Sequence, residues 1–80
     1  MDYKTKDVTM QERISINKPL FRNDLFTAYY LALAFSLTEL NGVKIDKDNA
    51  DKEINKLSNT EIVEEGQKIL KDINKMNKKK

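Results

Sequence analysis

The stretch 24–40 constrains the fold most, because it contains neither Gly nor Pro and neither Lys nor Arg. Apolar residues at helical spacing cover nearly all sides of it, and Asn41-Gly42, which follows, is a typical helix stop. We therefore predict a long apolar helix at about 24–41, with Asn23 as its N-cap. A helix that is apolar almost all round needs cover on more than one side. Either the rest of the chain or a second chain supplies that cover, and the sequence leaves both alternatives open.

The length of the chain limits what can cover this helix. Eighty residues suffice for one domain, 1–80, and are too few for two. A core of this size supplies little stability by itself, so we expect self-association or a protein partner. The chain contains no Cys and no His, which removes disulfides, thiolate nucleophiles, Cys/His zinc sites and imidazole catalysis. No catalytic motif links the remaining polar groups, and we expect no enzyme, no metal, no cofactor and no small-molecule substrate.

Residues 12–17 are predicted to form a short N-terminal strand. Ile14 and Ile16 alternate with polar residues in this segment, which is typical of a strand with one buried face. A strand of this length is not stable alone. It therefore needs a partner strand in 8–10, in 43–45 or in a second copy of the chain.

Two further helices are predicted after the apolar one. The better defined helix runs over about 59–76 and follows Ser58-x-x-Glu61, the pattern of a capping box. Gly66 in its middle costs helix stability, and either the close approach of another backbone or simple tolerance explains it. A possible short helix at about 49–56 precedes it. The predicted fold class is therefore mainly α, with one short N-terminal strand.

Basic residues are concentrated at the two ends of the chain. The net charge is +2, from 15 basic and 13 acidic side chains, and the last residues are Lys-rich. The polar ends 1–7 and 77–80 are expected to fray. No stretch is long and apolar enough for a bilayer-spanning helix. We therefore expect a cytoplasmic protein that has no membrane partner.

Two patches of the chain resemble the ribbon-helix-helix family of DNA-binding proteins. Arg13-Ile14-Ser15-Ile16-Asn17 resembles its strand, in which polar residues alternate with Ile, and 57–63 with Gly66 resembles its second helix. The resemblance implies a homodimeric transcription regulator whose two strands pair and enter the major groove. It also implies six DNA-contacting residues, three at base edges and three near phosphates: Arg13, Ser15, Asn17, Ser58, Asn59 and Thr60.

A second hypothesis is a helical adaptor or inhibitor of the type that phages and mobile elements encode. Such proteins bind another protein through an apolar surface, and helix 24–40 offers one. Leu31 and Phe35 lie on a second side of that helix, and Gly66 would let another backbone come close. We therefore name Leu31, Phe35 and Gly66 as candidate protein-interface residues. Under either hypothesis the sequence predicts a small non-enzymatic binding protein, and the two differ in whether DNA or protein is the partner.

Overall fold

The computed structural model describes the backbone of residues 2–78 and the side chains of residues 2–74. This part of the chain forms four helices and a short three-stranded antiparallel sheet. The helices are α1 (Met10–Phe21), α2 (Leu25–Ser36), α3 (Ala50–Ile54) and α4 (Asn59–Lys78). The strands are β1 (Tyr3–Thr5), β2 (Leu37–Leu40) and β3 (Val43–Lys44), with β2 in the middle. The prediction of a mainly α fold is confirmed, and no described helix is long and apolar enough to cross a membrane.

α2 is the central helix, and α1, α3 and α4 all pack against it. Its residues Ala28, Ala32 and Leu33 are completely buried. Other elements of the same chain thus cover this apolar helix on several sides. Cover from within the chain, one of the two alternatives that the sequence left open, is therefore present, although Leu25 and Phe26 at the start of the helix remain exposed.

The start of α2 differs by one residue from the prediction of a helix at 24–41. The helix begins at Leu25 and its N-cap is Asp24, whose Oδ1 accepts a hydrogen bond from the Thr27 N–H at 3.3 Å. Asn23, the predicted cap, has a φ of 60°. This left-handed conformation, which Asn tolerates better than most residues, belongs to the turn before the helix.

The end of α2 was predicted wrongly, because the helix stops at Ser36 and residues 37–40 form β2. Asn41 and Gly42 have positive φ angles of 51° and 84°. Two successive residues with positive φ form the tight turn of a hairpin. Asn41-Gly42 therefore connects β2 to β3 and does not stop a helix.

The strand predicted at 12–17 is wrong, since these residues lie within α1. The helix begins with a capping box. Thr9 Oγ1 accepts a hydrogen bond from the Glu12 N–H at 3.1 Å, and Glu12 Oε1 accepts one from the Thr9 N–H at 2.8 Å. Residues two apart point to opposite sides of a helix, so Ile16 is buried whereas Ile14 is exposed.

A short N-terminal strand is nevertheless present, and it is β1. This strand pairs antiparallel with β2, so that Tyr3 faces Leu40 and Thr5 faces Leu37. Tyr3–Thr5 therefore forms a strand within the end 1–7 that was expected to fray, and the fraying itself stays a prediction. These residues pair with a strand that lies far away in the sequence, which no local pattern reveals.

α4 begins where the sequence predicted. Ser58 Oγ accepts a hydrogen bond from the Glu61 N–H at 3.1 Å, and Glu61 Oε1 accepts one from the Ser58 N–H at 3.0 Å. The predicted capping box is thus confirmed. The helix extends past its predicted end at 76 as far as Lys78, and the expectation that 77–80 frays stays a prediction. The last two residues of that range, Lys79 and Lys80, lie outside the described residues.

One hydrophobic core lies between the helices and the sheet. Ile16 of α1, Leu33 of α2 and Ile54 of α3 are completely buried in it. α3 is the predicted short helix at 49–56, reduced to five residues. α4 contributes residues of its apolar stripe that are also buried: Ile62, Ile69 and Ile73.

Candidate functional site

α1 carries apolar residues on two opposite sides. Its inner side packs against α2 and supplies Ile16 to the core. Met10, Ile14 and Phe21 lie four and seven residues apart, which places them together on another side of the helix. That side faces away from the core, since these residues are 58%, 45% and 87% exposed.

More exposed apolar residues follow in the chain after the end of α1. The chain turns tightly there, because the Asn23 N–H donates to the Leu20 carbonyl at 3.1 Å and the Asp24 N–H donates to the Pro19 carbonyl at 2.9 Å. α2 then opens with two further exposed apolar residues. These two, Leu25 and Phe26, are 50% and 41% exposed, and the name α1 stripe is kept for the exposed apolar side of α1, which is formed by Met10, Ile14 and Phe21.

Charged residues border the α1 stripe unevenly. Lys18 lies four residues after Ile14 and so falls on the same side of α1, and Arg22 directly follows the helix; both are exposed. At the other end, the exposed Asp7 precedes the helix next to an exposed Lys6. The C-terminal end of the stripe is therefore basic, whereas the charges at its N-terminal end nearly cancel.

A separate cleft of about 300 Å³ lies between the end of α2 and the segment before α3. Apolar residues that line it include Phe35, Leu37, Ile45 and Ala50. Charged residues of both signs surround them: Lys6, Glu12, Asp46, Lys47 and Asp51. The volume is at the small end of the range for ligand pockets, about 300–1,000 Å³, and suits a single apolar side chain better than a large ligand.

Two tyrosines lie beside carboxylates. The Tyr30 hydroxyl donates a hydrogen bond to Asp51 Oδ1 at 2.9 Å, and burial together with this bond raises the pKa of Tyr30. Burial and the neighbouring Glu65 raise the pKa of Tyr3 in the same way. A phenol with a raised pKa stays protonated at neutral pH, so neither side chain acts as a base there. Among the residues with described side chains, no cluster of His, Cys, Asp or Glu is placed to hold a metal ion.

The residues predicted to contact DNA lie on two separate helices, with Arg13, Ser15 and Asn17 on α1 and Ser58, Asn59 and Thr60 at the start of α4. Arg13 is half-buried and lines a cavity of about 70 Å³ together with Ile69 of α4. Ile69 is about 16 Å along α4 from Ser58, at 1.5 Å per helical residue. The Ser15 hydroxyl donates a hydrogen bond to the Gln11 carbonyl at 3.1 Å. Arg13 therefore lies well away from Ser58, and a DNA-binding role for these six residues stays a prediction.

The predicted protein-interface residues have mixed surroundings. Leu31 and Phe35 are half-buried and pack against the core, and Phe35 also lines the cleft. Gly66 is buried, and a Cβ built on it would lie 2.5 Å from the Tyr29 Cβ. Close approach thus explains this glycine, but the backbone that approaches belongs to the same chain. A binding role for Leu31 and Phe35 stays a prediction.

Sequence reasoning missed Met10 and Phe21, the two most exposed members of the α1 stripe. The signal that would have found them is Thr9-x-x-Glu12, the same capping-box pattern that was recognised at Ser58. A helix that starts after Thr9 brings Met10, Ile14 and Phe21 to one side at once.

No protein-family model, no curated protein and no solved structure matches this chain.

Proposed function

We propose that this chain is a small non-catalytic protein-binding protein, of the adaptor or inhibitor type, that binds its partner through the α1 stripe. The exposure of Phe21 carries the proposal, because this phenylalanine is 87% exposed and shares one side of α1 with Met10 and Ile14. Aromatic residues and Met are enriched at protein interfaces relative to the rest of the surface. A few buried anchor residues usually carry most of the binding energy of an interface, and Phe21 is the most exposed large apolar residue among those described.

The stripe also offers binding energy that the isolated chain does not use. Burial of a large apolar side chain contributes about 1.5–3 kcal/mol relative to its exposure in water. Phe21, Met10 and Ile14 are each about half exposed or more, so a partner that covers them gains a large part of this energy. Leu31 and Phe35 offer less, because they already pack against the core.

The ribbon-helix-helix hypothesis has weaker support. It requires Arg13, Ser15 and Asn17 on a strand that pairs with its own copy, whereas in this chain they lie on α1. The Ser15 hydroxyl is hydrogen-bonded within that helix, and Arg13 is half-buried. Protein binding through the stripe needs no rearrangement of the described residues, and for this reason we prefer it.

Site-specific photocrosslinking in cells tests the proposal. The photoreactive residue p-benzoylphenylalanine replaces Phe21, whose shape it resembles, and in a control variant it replaces Val43. Val43 is 40% exposed but follows the opposite end of α2. We expect light-dependent crosslinks to a protein from position 21 and none from position 43. Crosslinks to nucleic acid, or equal protein crosslinking from both positions, would contradict the proposal.

A further inference from the structure

We propose that Asn41, in the turn between β2 and β3, is a site of spontaneous deamidation, and that the isoaspartyl product of this reaction releases β1 from the sheet. The reaction requires water alone and does not involve the α1 stripe, so it goes beyond the proposed protein-binding function. Glycine is the residue that least hinders an attack by its own backbone nitrogen, because it carries no side chain. Asn41 is the only asparagine that a glycine follows, since the two glycines of the chain follow Asn41 and Glu65.

The backbone nitrogen of Gly42 is the nucleophile of the reaction. It attacks Cγ of Asn41, the new N–Cγ bond closes a succinimide ring, and the Cγ–Nδ2 bond breaks. The side-chain nitrogen leaves as ammonia together with the proton of the Gly42 N–H. Water then opens the ring, either at Cγ to give aspartate or at the former main-chain carbonyl carbon to give isoaspartate, and returns a proton to the Gly42 nitrogen. One water is consumed and one ammonia is released, so no oxidant or reductant is needed.

The hairpin turn leaves the reacting atoms accessible. β2 and β3 pair Leu40 with Val43 on the two sides of the turn, so the N–H of Gly42 lies outside their ladder. Asn41 and Gly42 are both exposed. A Cβ built on Gly42 would meet no described atom within 4 Å. Water therefore reaches the amide and the attacking nitrogen directly from solvent.

Contacts with the chain ahead of β1 hold Asn41 until the turn opens. Asn41 Oδ1 accepts a hydrogen bond from the Asp2 N–H at 3.1 Å, and the Asn41 N–H donates one to the Asp2 carbonyl at 2.7 Å. Ring closure moves Cγ onto the Gly42 nitrogen and so breaks the first of these bonds. β3 has only two residues, and both are exposed. Opening of this end of the hairpin is therefore a local event that costs less free energy than global unfolding.

The isoaspartyl product does not restore the contacts with Asp2. Its main chain runs through Cβ and Cγ, so the turn is longer by one carbon atom. The former side-chain oxygen becomes a main-chain carbonyl oxygen, and the new carboxylate stands directly on Cα. A two-residue loop sets the register of the strands that it connects, and the lengthened loop no longer fits it. β1 has only three residues, so the loss of two bonds at its end should release it.

Incubation of the purified full chain in heavy-oxygen water, followed by peptide mapping, tests the site. We expect aspartate and isoaspartate at position 41, each with one heavy oxygen atom, and unchanged asparagines wherever no glycine follows. In Gly42→Asn the turn is kept, because Asn tolerates a positive φ, but the added side chain hinders the nitrogen. The modified fraction at 41 should then fall to that of the other asparagines. No reaction at 41, equal reaction at the other asparagines, or an undiminished reaction in Gly42→Asn would overturn the site.

Amide hydrogen exchange tests the release of β1. The isoaspartyl chain, separated by ion-exchange chromatography, should lose protection in β1 and at the Lys6 N–H, which donates to the Ser36 carbonyl at 2.8 Å. The amides of α4 should keep their protection. Freshly purified Asn41→Asp is the matched control, since it has the new charge but keeps the length of the main chain and an Oδ1 acceptor. Full protection of β1 in the isoaspartyl chain, or equal loss in Asn41→Asp, would overturn release by the lengthened turn.

Discussion

Gly66 of α4 lies directly against Tyr29 of α2. A Cβ built on Gly66 would approach the Tyr29 Cβ to 2.5 Å and the Tyr29 carbonyl oxygen to 2.8 Å. The Tyr29 hydroxyl also accepts a hydrogen bond from Gln67 Nε2 at 3.3 Å. Side chain and backbone of α2 thus meet α4 at one crossing point, where no residue larger than glycine fits without movement of a helix.

We predict that Gly66→Ala destabilises the protein, although Ala favours a helix over Gly by about 1 kcal/mol. The added methyl group overpacks the crossing, which typically costs about 1–3 kcal/mol. Urea unfolding followed by circular dichroism measures the change. Glu64→Ala, at an exposed position of the same helix, should stay within about 0.5 kcal/mol of the wild type. A more stable Gly66→Ala variant would show that the two helices do not pack this closely.

Ile14 and Ile16 should respond very differently to truncation. Ile16 is completely buried, and Ile16→Ala should lower the free energy of unfolding by about 2–5 kcal/mol. Ile14 is 45% exposed, and Ile14→Ala should cost less than about 1 kcal/mol, within the range of ordinary surface substitutions. Unfolding is measured at a protein concentration low enough to keep the chain monomeric. The free energy of unfolding of Ile14→Ala then reflects only the folding of the single chain.

Equal losses for the two variants would favour the strand that the sequence predicted at 12–17. That prediction followed the alternation of Ile14 and Ile16 and overlooked the capping box at Thr9, which fixes the start of a helix. The start of α4 was predicted correctly because its capping box and its 3.6-residue periodicity agree. The better guide at both helix starts was thus the cap, which depends on hydrogen bonds between residues only three apart.

The features that sequence reasoning missed depend on contacts between distant segments. The pair Asn41-Gly42 is compatible with a helix stop and with a hairpin turn. It forms a hairpin turn in this protein because β2 pairs with β1 and β3. β1 has no local signal of its own, because its hydrogen-bond partners lie in 37–40. For the α1 stripe, helical spacing predicts which residues share a side, but only the packing of α1 on α2 determines which side remains in water.

The two capping boxes should contribute similarly to stability. Ser58→Ala removes the acceptor for the Glu61 N–H and should cost about 0.5–2 kcal/mol. Thr9→Ala should have a loss of the same order at α1, where the corresponding bond joins Thr9 to Glu12. Ser58→Asp is the control, since Asp caps helices as well as Ser does. Thermal and urea unfolding measure these changes, and a neutral Ser58→Ala would mean that this cap does not hold the start of α4.

The stability of the protein should fall at high pH, partly because of Tyr30. Its pKa is raised above the ordinary 10.0, first by burial and then by the Asp51 carboxylate that accepts its hydrogen bond. A folded pKa above the unfolded one means that the folded state holds the proton more tightly. The stabilisation is therefore fully present below about pH 10 and is lost as the pH rises through the folded pKa.

Tyr30→Phe should accordingly remove part of the loss of stability at high pH. The free energy of unfolding of the variant should then fall less steeply above pH 10 than that of the wild type. Urea unfolding at a series of pH values measures both slopes. The absolute stability of the variant at neutral pH is not the readout, since Phe also lacks the hydrogen bond to Asp51. Tyr3→Phe should act in the same direction, because burial and Glu65 raise the pKa of Tyr3 as well. Identical slopes in the wild type and Tyr30→Phe would mean that the phenol of Tyr30 ionises equally easily in the folded and the unfolded chain.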